Sequence, residues 1–215
     1  MQRRNSRGRS QVAPEALESK STRASALTTE EEETYMRRAL ALAREGAREG
    51  EVPVGAVLVD AETRAVVGEA RNACEQSGDP TAHAEMTLIR EGAKTLGGWR
   101  ALQKVRMYIT VEPCAMCAGA ILQSRVGGVT YGAKNPSLGA DGSWVAMMRK
   151  EDVGAIGRAP NRPHPFMPEL DVRGGVLAEE CSALMSDFFK RRRTMGSYGD
   201  GVSEDETSLI KVGGD

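Results

Sequence analysis

The sequence predicts an α/β sandwich whose sheet runs largely parallel in its second half. From about residue 30 to 193, runs of helical period alternate with short β-rich runs. The first two β-rich runs are separated only by a short polar turn, as in a hairpin, whereas a helical run intervenes before each later one. A chain of 215 residues, 40% of them hydrophobic, buries one core of ordinary size, so one domain with tails is expected.

Each element has its own signal. Thr28 or Thr29 with Glu31 or Glu32 makes a capping box, and Met36, Ala39, Leu40, Ala43 and Ala47 follow at helical spacing, predicting a helix over about 30–48. Val52 to Asp60 and Ala65 to Asn72 form the hairpin. Asp79-Pro80 reads as a cap and first-turn pair, followed by Ala82, Met86, Ile89, Ala93 and Leu96 until Gly97-Gly98. That helix is expected to carry His83 and Glu85 in its first turns. Val105 to Val111 reads as a buried strand, and Pro113 as the opening of a third helix. Gly128 to Tyr131 is short and β-like, Ala133 to Pro168 irregular, and Val176 to Arg193 amphipathic with Leu177, Cys181, Leu184 and Phe188 on one face.

The ends differ from the middle. Residues 1–24 carry six Lys/Arg against two Glu, and residues 196–215 carry five acids against Lys211, so the tails cancel within a net charge of -1. Residues 1–27 show no apolar periodicity and are expected to be a disordered arm, either a transit peptide or an ordinary flexible extension. Residues 28–193 are expected to form the domain and 194–215 a disordered acidic, Gly-rich tail. The near-neutral core gives no bulk argument for nucleic-acid binding, so any such contact rests on local clusters. The clearest, Lys190-Arg191-Arg192-Arg193, reads either as a solvated helix end favoured by the helix dipole or as a phosphate-binding patch. No uncharged apolar run approaches a membrane span.

Four cysteines do not suggest a disulfide framework in a chain of this length, and two of them form Cys114-Ala115-Met116-Cys117. At i and i+3 near a helix N-terminus, both sulfurs share one face, and the dipole favours thiolate. The pair alone is compatible with half of a structural zinc site or with a redox couple. Cys74 and Cys181 have no neighbouring Cys or His to complete a structural site. His83, one of only two histidines, opens the preceding helix. One His and two Cys leave the fourth tetrahedral position of zinc open, as in catalytic sites. Glu85, two residues from His83, is placed beside that position as a proton carrier; without the ligands it would read as a first-turn Glu favoured by the dipole. His164 reads as a loop residue.

Asp79-Pro80-Thr81-Ala82-His83-Ala84-Glu85 and Glu112-Pro113-Cys114-Ala115-Met116-Cys117-Ala118-Gly119-Ala120 resemble the zinc deaminases, with their H-x-E and P-C-x-x-C signatures. Glu51-Val52-Pro53-Val54-Gly55-Ala56-Val57 and Ser186-Asp187-Phe188-Phe189 make the chain similar, within that superfamily, to bacterial and plastid tRNA-specific adenosine deaminases. The resemblance covers about residues 30–193. It implies a cytidine-deaminase-like three-layer sandwich with a five-stranded mixed sheet between helices. It also implies a homodimer with one Zn²⁺ per subunit and no organic cofactor, acting on the wobble adenosine of an arginine tRNA anticodon stem-loop.

By the same resemblance Asn72 hydrogen-bonds the flipped base, Val54 and Asn135 contact the substrate, and Phe188 with Arg191, Arg192 and Arg193 lies along the anticodon loop. Phe188 fits the core stripe equally well. Asn135 stands where the bacterial relatives usually carry Asp; an amide accepts more weakly than a carboxylate, so ribose is expected to matter less here. Gly139 to Trp144 with His164-Pro165-Phe166 looks more like the plastid version, which points to a chloroplast, with a bacterial cytoplasm as the alternative. Two rivals share these features: a deaminase of free nucleobases, nucleosides or pterins, and a non-catalytic zinc-stabilised RNA-binding subunit. The basic helix end argues against the first and Glu85 against the second.

Overall fold

The structure, a computed structural model, describes residues 28–148 and 170–194. The expected arm over 1–27, His164 and all of the expected tail except Thr194 lie outside the described residues.

Helix α1 (Thr29–Arg48) starts on the expected capping box: the Glu31 N–H donates to the Thr28 hydroxyl at 3.2 Å, and the Thr28 N–H to the Glu31 carboxylate at 2.8 Å. Strands β1 (Gly55–Asp60) and β2 (Val66–Arg71) pair antiparallel, and the Asp60 carboxylate accepts the Glu62 and Thr63 N–H groups to shape their turn. A single-turn helix α2 (Cys74–Ser77) precedes α3 (Ala84–Thr95). A 3₁₀ segment over Trp99–Lys104 leads into β3 (Val105–Val111), buried throughout. Helix α4 (Ala115–Ser124) and β4 (Gly128–Ala133) follow, and β5 (Asp171–Gly174) and α5 (Ala178–Thr194) close the described chain.

The sheet runs β2-β1-β3-β4-β5, with β1 antiparallel to both neighbours and β3, β4 and β5 parallel, which is the expected parallel second half. Helices α1 and α5 cover one face, α3 and α4 the other. Alternation along β1 feeds both layers. Ala56 and Leu58 join Leu88, Met107, Ile109 and Ile121, while Val57 and Val59 join Met36, Leu40, Tyr108 and Cys181. This is the three-layer sandwich with a five-stranded mixed sheet.

The two helix starts that carry the candidate ligands fall later than the sequence predicts, as does α5, which begins at Ala178 after Leu177 with its positive φ of 52°. The Asp79 carboxylate accepts both the Thr81 N–H at 2.8 Å and the Thr81 hydroxyl at 2.7 Å, closing a local turn that competes with helix; α3 begins only at Ala84, with His83 as its N-cap. Likewise Pro113 precedes α4, and Cys114, with extended backbone, is its N-cap. Helix α2, the 3₁₀ segment and β5 were not anticipated. Strand β5 is four residues long, too short to show a period, and is held to β3 by an Arg106–Asp171 ion pair and to α1 by Arg173–Glu32 at 3.0 Å.

Helix α1 lies so close to β1 that a Cβ on Gly55 would sit 2.1 Å from the Ala39 carbonyl oxygen. Backbone on both sides leaves nothing that yields cheaply, so Gly55→Ala should cost about 1–3 kcal/mol, the range for overpacking a filled interior. Thermal unfolding checks this, a drop of several degrees being expected for a domain of this size.

Candidate metal centre and active site

The two displaced helix starts bring the ligands together. His83 and Cys114 occupy N-cap positions yet make no capping hydrogen bond from their side chains. Instead the His83 ring nitrogen Nδ1 lies 3.4 Å from Cys117 Sγ and 3.7 Å from Cys114 Sγ. The ligand atoms of all three residues fall within 4.8 Å of one another. Cys117 is buried inside the first turn of α4, while His83 and Cys114 are half-buried.

The Cys114 thiol is pushed down to about 4, chiefly by its hydrogen bond with Cys117 and also by His83, while the same bond and burial push Cys117 up. The His83 imidazole is raised by its bond with Cys114. A divalent cation bound here would hold both sulfurs as thiolates, which the N-terminus of α4 also favours. One nitrogen and two sulfurs at this spacing suit zinc.

Glu85, in the first turn of α3, is 3% exposed and lies against Cys117. Burial raises the pKa of its carboxyl above the ordinary carboxylate value. Its Oε2 is buried without a hydrogen-bond partner among the described residues. An orphaned carboxylate oxygen beside a three-ligand cluster is an acceptor aimed where a water or substrate proton would sit. His83, Cys114, Cys117 and Glu85 are therefore together, as the sequence predicts.

The expected substrate contacts divide. Asn72 is buried; its Oδ1 accepts the Ala84 N–H at 3.0 Å, filling the cap that His83 does not supply, and its own N–H donates to the Val54 carbonyl at 3.0 Å. Val54 and Asn72 thus stand together at the start of α3. Asn135 Oδ1 accepts the Leu138 N–H at 3.2 Å, so that oxygen closes a turn of its own loop. Phe188 is 6% exposed, edge-on to Phe189 with ring centroids 5.4 Å apart, which places it in packing and leaves Phe189 the more accessible ring. Arg191 and Arg193 are exposed, whereas Arg192 sits 5.5 Å over the Phe188 ring and donates to Glu75 of α2 at 3.1 Å. That bond ties the basic end of α5 to the segment just after Asn72.

Sequence reasoning missed two buried acids. Glu51 accepts the Gln76 N–H at 2.8 Å and the Glu75 N–H at 3.2 Å, anchoring α2, and Glu112 anchors the loop after β4. Both lie inside the motifs that carry the resemblance, which was the signal available.

The family model for the cytidine and deoxycytidylate deaminase zinc-binding region matches residues 29–133. The chain is 42% identical over 170 residues to the tRNA-specific adenosine deaminase of Haemophilus influenzae, covering 79% of this chain and 90% of that one. It is 46% identical over 164 residues to the chloroplastic tRNA(adenine(34)) deaminase of Arabidopsis thaliana, covering 75% of this chain but spanning only 12% of that much longer protein. A solved structure from a study of A-to-I editing by tRNA:A34 deaminases superposes with a TM-score of 0.58 at 34% identity, over 70% of this chain and 98% of that chain. The guanine deaminase of Nitrosomonas europaea, at 21% identity and a TM-score of 0.55 over 73% of this chain and 83% of that one, shares the fold.

His83→Ala and Cys114→Ala each remove one of three ligands and should leave the purified protein with well under one zinc per chain, measured by elemental analysis. Glu85→Gln should keep full zinc occupancy, because it leaves all three ligands in place.

Proposed function

The chain belongs to the tRNA-specific adenosine deaminase family, and from that premise we propose that it converts adenosine to inosine at the wobble position of a tRNA anticodon. The observation that carries the reading is the unpartnered Oε2 of buried Glu85 beside His83, Cys114 and Cys117. The reaction adds water to C6 of adenine and releases ammonia, so it needs a nucleophile and a group that moves protons in both directions.

His83, Cys114 and Cys117 would hold the zinc, which when bound makes a water molecule acidic enough to serve as nucleophile near neutral pH. Glu85 does the rest. Its carboxylate takes one proton of the attacking water and passes it to N1 of adenine, then takes the second proton from the hydroxyl now on C6 and delivers it to the departing amine, so that the C6 carbonyl forms as ammonia leaves. A raised pKa suits that double role, since a carboxyl nearer neutrality both accepts and returns a proton. Asn72, held by Ala84 and Val54, presents its amide nitrogen as a donor to the flipped base.

An anticodon loop offers its wobble base already out of a duplex, which lowers the cost of extrusion. Arg191 and Arg193, exposed at the end of α5, are the proposed phosphate contacts, with Arg192 bridging to α2. An arginine tRNA is the proposed substrate and a homodimer the proposed assembly. Residues 28–193 are the proposed catalytic domain. The likeness to the Arabidopsis relative supports a chloroplast and the likeness to bacterial relatives the alternative. Among the described residues no helix is long and apolar enough to cross a membrane.

Incubating the protein with a panel of anticodon stem-loops, free nucleosides and free bases tests the substrate. Inosine is expected in an arginine stem-loop carrying adenosine at the wobble position; product from free nucleosides or bases alone would sink the proposal. Glu85→Gln should lower turnover by about 10²–10⁴-fold, the usual worth of positioned proton transfer. Replacing Arg191 and Arg193 together by Ala should weaken stem-loop binding and reduce the slope of log affinity against log salt by roughly one per lost contact. An unchanged slope would make them an ordinary solvated helix end.

A further inference from the structure

Glu112 follows β3, directly before Pro113-Cys114, and is 1% exposed. Its carboxylate is surrounded by neutral donors from one loop. Oε1 accepts the Asp141 N–H at 2.7 Å and the Ser143 N–H at 3.4 Å; Oε2 accepts the Asn135 N–H at 3.1 Å and the Ser143 hydroxyl. The loop is fitted around it so closely that a Cβ on Gly139 would lie 2.5 Å from the Glu112 carboxyl carbon and 2.5 Å from the Asn135 carbonyl oxygen. Gly139 in turn bridges to Cys114, and the Ala140 N–H donates to the Pro113 carbonyl at 2.9 Å.

We propose that Glu112 is a positioning residue whose buried carboxylate clamps residues 135–146 against Cys114, so that this loop forms a fixed wall beside the metal centre. A carboxylate suits the task and an amide does not. Four donors converge on two oxygens, and Gln offers one oxygen while adding an N–H₂ group among the donors, so at least one backbone N–H loses its acceptor. The wall carries exposed Leu138 and Trp144, the latter 58% accessible, in the same loop as Gly139, which bridges to Cys114. Glu112 touches no reacting atom; it acts on substrate through the loop.

The kinetic arm of the test rests on the tRNA deaminase reading, whereas the exchange arm does not. Hydrogen exchange, zinc content, kcat and KM for an anticodon stem-loop are compared in the zinc-loaded full chain and its Glu112→Gln, Glu112→Asp and Ser143→Ala variants. In Glu112→Gln the amides of Asn135, Asp141 and Ser143 are expected to exchange about tenfold faster or more, the worth of a lost buried bond to a charged acceptor. Zinc should stay at one per chain, KM should rise about fivefold or more, and kcat should hold within about twofold, the pattern of lost binding with intact chemistry. Glu112→Asp should recover part of both effects. Unchanged exchange at those amides overturns the clamp. Faster exchange with unchanged KM overturns the wall, and loss of zinc with unchanged KM shows that Glu112 serves the metal helix instead. Should Glu112→Gln fail to fold, Ser143→Ala removes only the hydroxyl donor; faster loop exchange is then expected, and wild-type exchange overturns the proposal. A wild-type protein that does not act on the stem-loop removes the tRNA reading and leaves exchange to decide the clamp.

Discussion

The site depends on two helix N-termini being made to meet without ordinary caps. An N-cap side chain normally accepts a hydrogen bond from the first turn, which favours Ser, Thr, Asp or Asn. Here the positions belong to His83 and Cys114, whose side chains turn toward each other instead. Topology enforces the meeting: β3 and β4 are parallel, so α4 must start where β3 ends. Helix α3 starts beside it, after the hairpin returns the chain through Asn72. The freed Ala84 N–H is then taken by Asn72, and so a residue proposed to read the base is fixed by the need to finish the helix that carries the metal ligand.

Buried acids divide by how they are satisfied. Glu51 and Glu112 spend their oxygens on backbone amides, Glu32 meets Arg173, and Asp141 accepts the Tyr131 hydroxyl at 2.9 Å. Glu85 alone among the buried acids of the described residues keeps a fully buried oxygen without a partner. A carboxylate removed from water is costly unless its lone pairs are met, so the satisfied acids belong to the scaffold and the unsatisfied one marks where something from outside must bind. Burial therefore does not set Glu85 apart; the missing partner does.

The chemistry was legible from the sequence because it is local. His83 with Glu85, and Cys114 with Cys117, are short-range spacings whose meaning survives an error of a few residues in the helix start. That error occurred at Asp79, where a cap-like residue closes a turn with Thr81 rather than a helix. Phe188 stayed ambiguous because one aromatic satisfies an apolar stripe and a stacking platform alike, and only its burial separates them. Glu51 and Glu112 were illegible for another reason. Their role is set by amides 23 to 31 residues away, and no pattern of charge distinguishes an acid that faces water from one that faces backbone. Strand β5 is placed by its pairing with β4 and by the ion pairs of Arg106 and Arg173, and those also act across the chain.

One carboxylate anchor precedes His83 in sequence and the other directly precedes Pro113-Cys114, and each stabilises a segment with little internal support. Helix α2 is one turn long and cannot persist on its own hydrogen bonds; Glu51 caps it, and Arg192 reaches it from α5 through Glu75. Among the described residues, the loop after β4 (134–148) carries only isolated bridges, and Glu112 supplies acceptors that a strand partner would otherwise provide. Segments held in this way would enter binding already ordered, which lowers the ordering cost of binding. On the proposed reading, that rigidity suits an enzyme whose substrate supplies the mobility: the anticodon loop adapts and extrudes its base, while the protein surface that receives it is tied at both ends to the hydrogen bonds of its own backbone.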